Sequence, residues 1–118
     1  MKTLVVFYSR TGNTRRVAEE IQNSLDCDIE EIIDTKKRSG PLGYMKSGRD
    51  ASSGKLTVLK DITHDPASYD LLIIGTPLWA WHVSTPARTY IHQNHTKFSK
   101  VAFFCTAGGK SFGGTSRT

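Results

Sequence analysis

Between residues 4 and 25 the chain changes character twice. Leu4-Val5-Val6-Phe7-Tyr8 is an unbroken apolar run rich in β-branched and aromatic side chains, which predicts a strand buried on both faces. Ser9-Arg10-Thr11-Gly12-Asn13-Thr14 then supplies small, hydroxylated residues and a glycine. After it, Val17, Ala18, Ile21 and Leu25 fall on one helical face. A strand, a hydroxyl-rich turn and a helix start bring unpaired N–H groups and the positive end of a helix dipole together. Ser9, Thr11 and Thr14 can add hydroxyl donors, and Gly12 lets the backbone approach a bound group or take positive φ. This combination suits a phosphate. An ordinary turn capped by Thr11 or Asn13 would need fewer such residues.

The same alternation runs on. Residues 28–33 predict a short second strand at an edge, with Glu30 and Glu31 outward. The segment 34–55 is polar and carries Lys36, Lys37, Arg38, Lys46, Arg49 and Lys55, with a short irregular helix expected after Pro41. Residues 56–62 read as an extended connection. Leu71-Leu72-Ile73-Ile74-Gly75 is a second clear buried strand, followed by the loop Thr76-Pro77-Leu78-Trp79-Ala80-Trp81-His82. Thr85-Pro86 predicts a cap and first helical position, with Ala87, Tyr90, Ile91 and Asn94 on the helix's inner face. Val101-Ala102-Phe103-Phe104-Cys105 is a third buried strand, leading into Thr106-Ala107-Gly108-Gly109. Buried strands alternating with helices imply right-handed βαβ units and a parallel α/β sheet. Loops 9–14, 76–82 and 106–109 all follow carboxyl ends of strands and should share one rim, where such sheets bind ligands.

At 118 residues the chain fits one domain, residues 1–118. No apolar run approaches membrane-spanning length, and the N-terminal run is too short for a signal peptide. Cys27 and Cys105 form no CxxC or zinc spacing and read as reduced thiols. A cytoplasmic protein is expected. The net charge of +5 and pI near 9.4 favour an acidic partner or simple solvation. Without a recognisable nucleic-acid module, neither nucleic acid nor membrane is expected as a partner.

The chain resembles the flavodoxin family. Tyr8-Ser9-Arg10-Thr11-Gly12-Asn13-Thr14 is similar to the family's FMN phosphate loop, residues 75–81 to its first ring-binding loop, and residues 105–109 to the start of its second. Residues 43–51 are similar to a segment of prokaryotic members with a basic second helix. The resemblance implies a flavodoxin-like doubly wound sheet in three α/β/α layers, with strand order 2-1-3-4 and the fifth strand absent. It implies FMN as cofactor. The phosphate would lie on Ser9, Arg10, Thr11, Gly12, Asn13 and Thr14, and the flavin ring against Thr76, Pro77, Leu78, Trp79, Ala80 and Trp81. Thr106, Ala107, Gly108 and Gly109 would meet the ring's polar edge. The tryptophans offer flat faces on which a ring can stack.

The function expected from this resemblance is electron transfer on FMN, with no catalytic side chain and a redox partner protein or small-molecule acceptor. Two alternatives are an FMN-dependent NAD(P)H or quinone oxidoreductase, and a flavin-free partner-binding module. The chain departs from acidic carrier flavodoxins in its basic charge, and it carries Ala80 where many members have glycine. It also stops before the family's usual further helix, strand and helix. Strand 101–105 is therefore expected to have an open edge that a homodimer could cover, with residues 107–118 mobile.

Other signals are weaker. Gly109-Lys110-Ser111 lacks the earlier glycine of a nucleotide-triphosphate loop, since position 104 is Phe. Tyr8-Ser9-Arg10 lacks the acidic residues of a phosphoacceptor domain. His92 and His95 lie a turn apart with no carboxylate or Cys nearby to complete a metal site, so no metal is expected.

Overall fold

A computed structural model describes residues 1–10, 12–34, 57–79, 82–107 and 110–117. The strands are β1 (Thr3–Phe7), β2 (Asp28–Glu31), β3 (Leu71–Trp79), β4 (His82–Val83), β5 (Lys100–Ala107) and β6 (Lys110–Arg117). Among the described residues the helices are α1 (Asn13–Leu25) and α2 (Thr85–Asn94), with single 3₁₀ turns at Pro66–Ser68 and His95–Lys97. The four parallel strands lie in the order β2-β1-β3-β5. This is the expected 2-1-3-4 arrangement, because the two-residue β4 folds back antiparallel on the end of β3 and stands off the main path.

Alternation along the strands sorts the core into two layers. Val5, Phe7 and Phe104 pack with Ala18 on the α1 side, joined by Val17, Ile21, Ile29 and Ile73. Leu4, Val6, Tyr8, Leu72, Ile74 and Val101 pack with Tyr90 and Phe98 on the α2 side. The Tyr90 and Phe98 rings stack with centroids 6.1 Å apart. The helical spacing of α1 holds for Val17, Ala18 and Ile21, but Leu25 is 52% exposed at the helix end. There Asp26 turns left-handed and closes the helix with its N–H on the Gln22 carbonyl. At α2, Ser84 and not Thr85 is the N-cap, so the helix starts one residue earlier than expected and Thr85 and Pro86 occupy its first two positions.

The two glutamates of β2 are not both outward. Adjacent strand residues face opposite sides, so only Glu31 lies toward Arg15 of α1, with which it pairs. Glu30 is buried and accepts hydrogen bonds from the backbone and hydroxyl of Thr63 and from the His64 N–H. His64 Nδ1 lies 2.7 Å from the same carboxylate. This carboxylate pins the returning connection to the edge strand. Further along, the connection is held by a bridge between Asp34 and Leu59, and by the Thr57 N–H on the Thr89 hydroxyl. The Tyr69 hydroxyl donates to Asp28 at 2.7 Å. Burial and that acceptor push its pKa up to about 12.

The open edge expected at strand 101–105 is corrected by β6. Residues 110–117 run antiparallel along β5, from Ala107 opposite Lys110 to Lys100 opposite Arg117. They take the edge that a second copy would have used, and they are a strand rather than a mobile tail. The segment has weak strand propensity, with Gly113-Gly114 at its centre. Those glycines lie opposite Phe104 and Phe103, so positions without side chains stand beside the two bulkiest residues of β5. The basic segment and the helix expected after Pro41 lie outside the described residues.

Candidate cofactor site

The register brings the three predicted loops to one rim. Phe7, the last residue of β1, lies opposite Gly75, and Gly75 lies opposite Phe104. The Tyr8 N–H extends the pairing to the Gly75 carbonyl at 3.1 Å. Two residues on, Pro77 lies opposite Thr106. Loop 9–14 therefore leaves the sheet level with the region where β3 and β5 run out toward Trp79 and Ala107.

Residues 76–79, read in sequence as a loop, continue β3 and fold back through β4 as a hairpin, with Leu78 opposite Val83 and Trp79 opposite His82. Thr106 and Ala107 likewise belong to β5 rather than to the loop after it. Apolar runs marked where burial begins, but the backbone pairing carries both strands beyond them. Thr11, Ala80, Trp81, Gly108 and Gly109 lie outside the described residues.

The first loop is built for an uncapped helix start. Gly12 stands at the N-cap with φ 100°, a left-handed conformation that a Cβ disfavours. A Cβ there would meet nothing within 4 Å, so glycine answers to conformation and not to crowding. Its N–H donates to the Ser9 hydroxyl at 2.9 Å, and its carbonyl accepts the first helical bond from Arg16. No side-chain bond caps α1, and its first turn contains no acidic residue. The N–H groups of Asn13, Thr14 and Arg15 are the ones a helix start leaves without intrahelical acceptors.

Thr14 is 1% exposed, and its hydroxyl lies 2.8 Å from that of Thr106, which is also buried. The structure thus joins two residues predicted for different loops. On the α2 side, the Thr76 hydroxyl donates to the Pro77 carbonyl at 2.8 Å. It also lies 2.7 Å from the Ser84 hydroxyl and accepts the Ser84 N–H at 3.2 Å. This ties the hairpin to the start of α2. Next to it, the buried Thr85 hydroxyl has no hydrogen-bond partner. Sequence reasoning missed Ser84 and Thr85 as rim residues. The sequence offered only a capping signal there, and that signal says nothing about what the hydroxyls face.

Burial pushes the Cys105 thiol up from its ordinary value, so it stays protonated and unreactive near neutral pH. His92 and His95 are exposed, and among the described residues no group of three or more His, Cys, Asp or Glu could hold a metal ion. Among the described residues no helix is long and apolar enough to cross a membrane.

No curated protein matches this chain. Among solved structures, it is similar to a flavoprotein from Lactobacillus acidophilus NCFM crystallised in complex with FMN, with 29% identity and a TM-score of 0.79. That likeness covers 92% of this chain and 76% of the other. The NMR structure of the apo-form of the Lactobacillus flavoprotein matches over the same shares, with 28% identity and a TM-score of 0.66. A candidate flavoprotein from Bacteroides uniformis ATCC 8492 is 30% identical, with a TM-score of 0.78, covering 91% of this chain and 72% of that one. The flavodoxin model matches residues 2–118, nearly the entire sequence and all three rim segments. The chain belongs to the flavodoxin family.

Proposed function

We propose that this chain binds FMN without a covalent link and carries electrons on it. The observation that carries the reading is the start of α1: a left-handed Gly12 followed by a first turn with no side-chain cap and no acidic residue. Such a turn suits a dianionic phosphate in both geometry and charge. Two further observations fit the same cofactor. The ends of β3 and β5 lie beside this loop in register, and the buried Thr85 hydroxyl at the rim lacks a partner. The FMN complex of the similar Lactobacillus flavoprotein supports the assignment.

In this reading loop 9–14 holds the phosphate through the backbone N–H groups of Asn13 and Thr14, with Arg10 adding positive charge. Residues 76–81 wall the ring, and residues 107–109 meet its polar edge, while the buried Thr106 hydroxyl turns to Thr14. Bound FMN supplies the redox chemistry, accepting and releasing electrons at its ring. The chain's own residues bind and orient the group and shield part of it from water. No side chain need act as acid or base. The +5 charge favours an acidic redox partner, and the reading places the protein in the cytoplasm.

Steady-state assays separate this function from the second reading, an NAD(P)H or quinone oxidoreductase. FMN-loaded protein mixed with NAD(P)H and a quinone should turn over no faster than free FMN. Once chemically reduced, it should pass electrons to an added acceptor protein. Sustained NAD(P)H oxidation well above the free-FMN control would instead make it the enzyme.

A further inference from the structure

Thr14 and Thr106 are 92 residues apart in sequence, yet their hydroxyls lie 2.8 Å apart and are shielded from water. Thr14 sits in the first turn of α1, on the backbone that carries the unpaired N–H groups. Thr106 lies near the end of β5, directly before Ala107-Gly108-Gly109. β1 and β5 are not neighbours, because β3 runs between them. Thr106 itself lies opposite Pro77 of β3; two residues earlier Gly75 has no side chain, and the Phe104 ring covers it. The α1 start nevertheless reaches across β3 to β5, and the hydroxyl pair makes that contact.

We propose that this pair is a strut that fixes the spacing between the phosphate end and the ring end of the cofactor site. Thr106 is then a positioning residue for FMN. The inference rests on the FMN reading above. FMN holds its phosphate and its ring at the two ends of one molecule, so it gains from both half-sites only when their separation matches. Each half-site alone tolerates a change in that separation. A hydroxyl pair kept from water holds its geometry better than an exposed one, because no solvent competes for it.

Riboflavin, which is FMN without the phosphate, provides the test. Thr106→Val keeps the side chain's shape and removes the hydroxyl. It should weaken FMN binding by about tenfold, in line with the loss of one buried hydrogen bond. Riboflavin binding should stay within about twofold of wild type. Thr106→Ser, which keeps the hydroxyl, should restore FMN affinity, and Thr106→Ala should repeat the loss if valine packs poorly. The measurement is a fluorescence titration of each variant with both flavins. Unchanged FMN affinity in Thr106→Val would overturn the strut, as would parallel weakening of FMN and riboflavin. A wild-type chain that takes up no FMN would remove the cofactor reading itself, a separate result visible before any variant is made.

Discussion

Gly12→Val should lower FMN affinity by at least about a hundredfold while the chain stays folded. Gly12 has φ 100° and ψ −11° and forms the N-cap of α1. A β-branched side chain in left-handed backbone is strained by about 1–2 kcal/mol or more. Nothing lies within 4 Å of where its Cβ would stand, so the core is not disturbed and the cost stays local. The loop can relieve that strain only by rotating Gly12 toward negative φ. This would move its N–H off Ser9 and swing the first-turn N–H groups away from the phosphate position. Flavin fluorescence would report the loss of binding, and far-UV circular dichroism the retained fold. Affinity within about threefold of wild type would show that loop 9–14 is not the phosphate cradle.

Gly75→Ala should have the largest effect on stability. A Cβ at this position would lie 2.0 Å from the Phe104 Cζ and 2.5 and 2.6 Å from its two Cε atoms. Phe104 is buried with Val5, Phe7 and Ala18, so its ring has no free volume to enter. Overpacking of this kind costs about 1–3 kcal/mol, or more where the ring cannot turn aside. The midpoint of thermal unfolding should fall by about 10 °C or more. Phe104→Leu should recover part of the loss in the double variant, because the two side chains compete for one space. An alanine variant as stable as wild type would mean that Phe104 does not rest on Gly75.

Much of this architecture was legible in the sequence because the parallel strands are buried on both faces. The runs at 4–8, 71–75 and 101–105 have no polar interruption, and such runs fit few folds other than a parallel sheet covered by helices. The rim followed, since strands of a parallel sheet end on one side. What stayed hidden was pairing that depends on a neighbour. Residues 110–117 contain one large apolar side chain and two adjacent glycines, yet they form β6 because β5 offers an unpaired edge with Phe103 and Phe104 facing the glycines. The burial of Glu30 was hidden for the same reason. Its carboxylate is satisfied by Thr63 and His64, more than 30 residues away, and no local pattern marks that contact. In the site, the spacing of hydroxyls revealed a phosphate-type loop. It did not reveal that the Thr14 hydroxyl turns inward to Thr106.

The proposed function requires that the α1 start and the ends of β3 and β5 together hold FMN. Titrating cofactor-free protein with FMN while following flavin fluorescence tests it directly. Saturable quenching with one FMN per chain at micromolar protein is the expected result, and riboflavin should bind more weakly because it leaves the α1 start unused. Flavin fluorescence that does not change even at tens of micromolar protein, roughly the range in which a weak but specific site would still fill, would contradict the account.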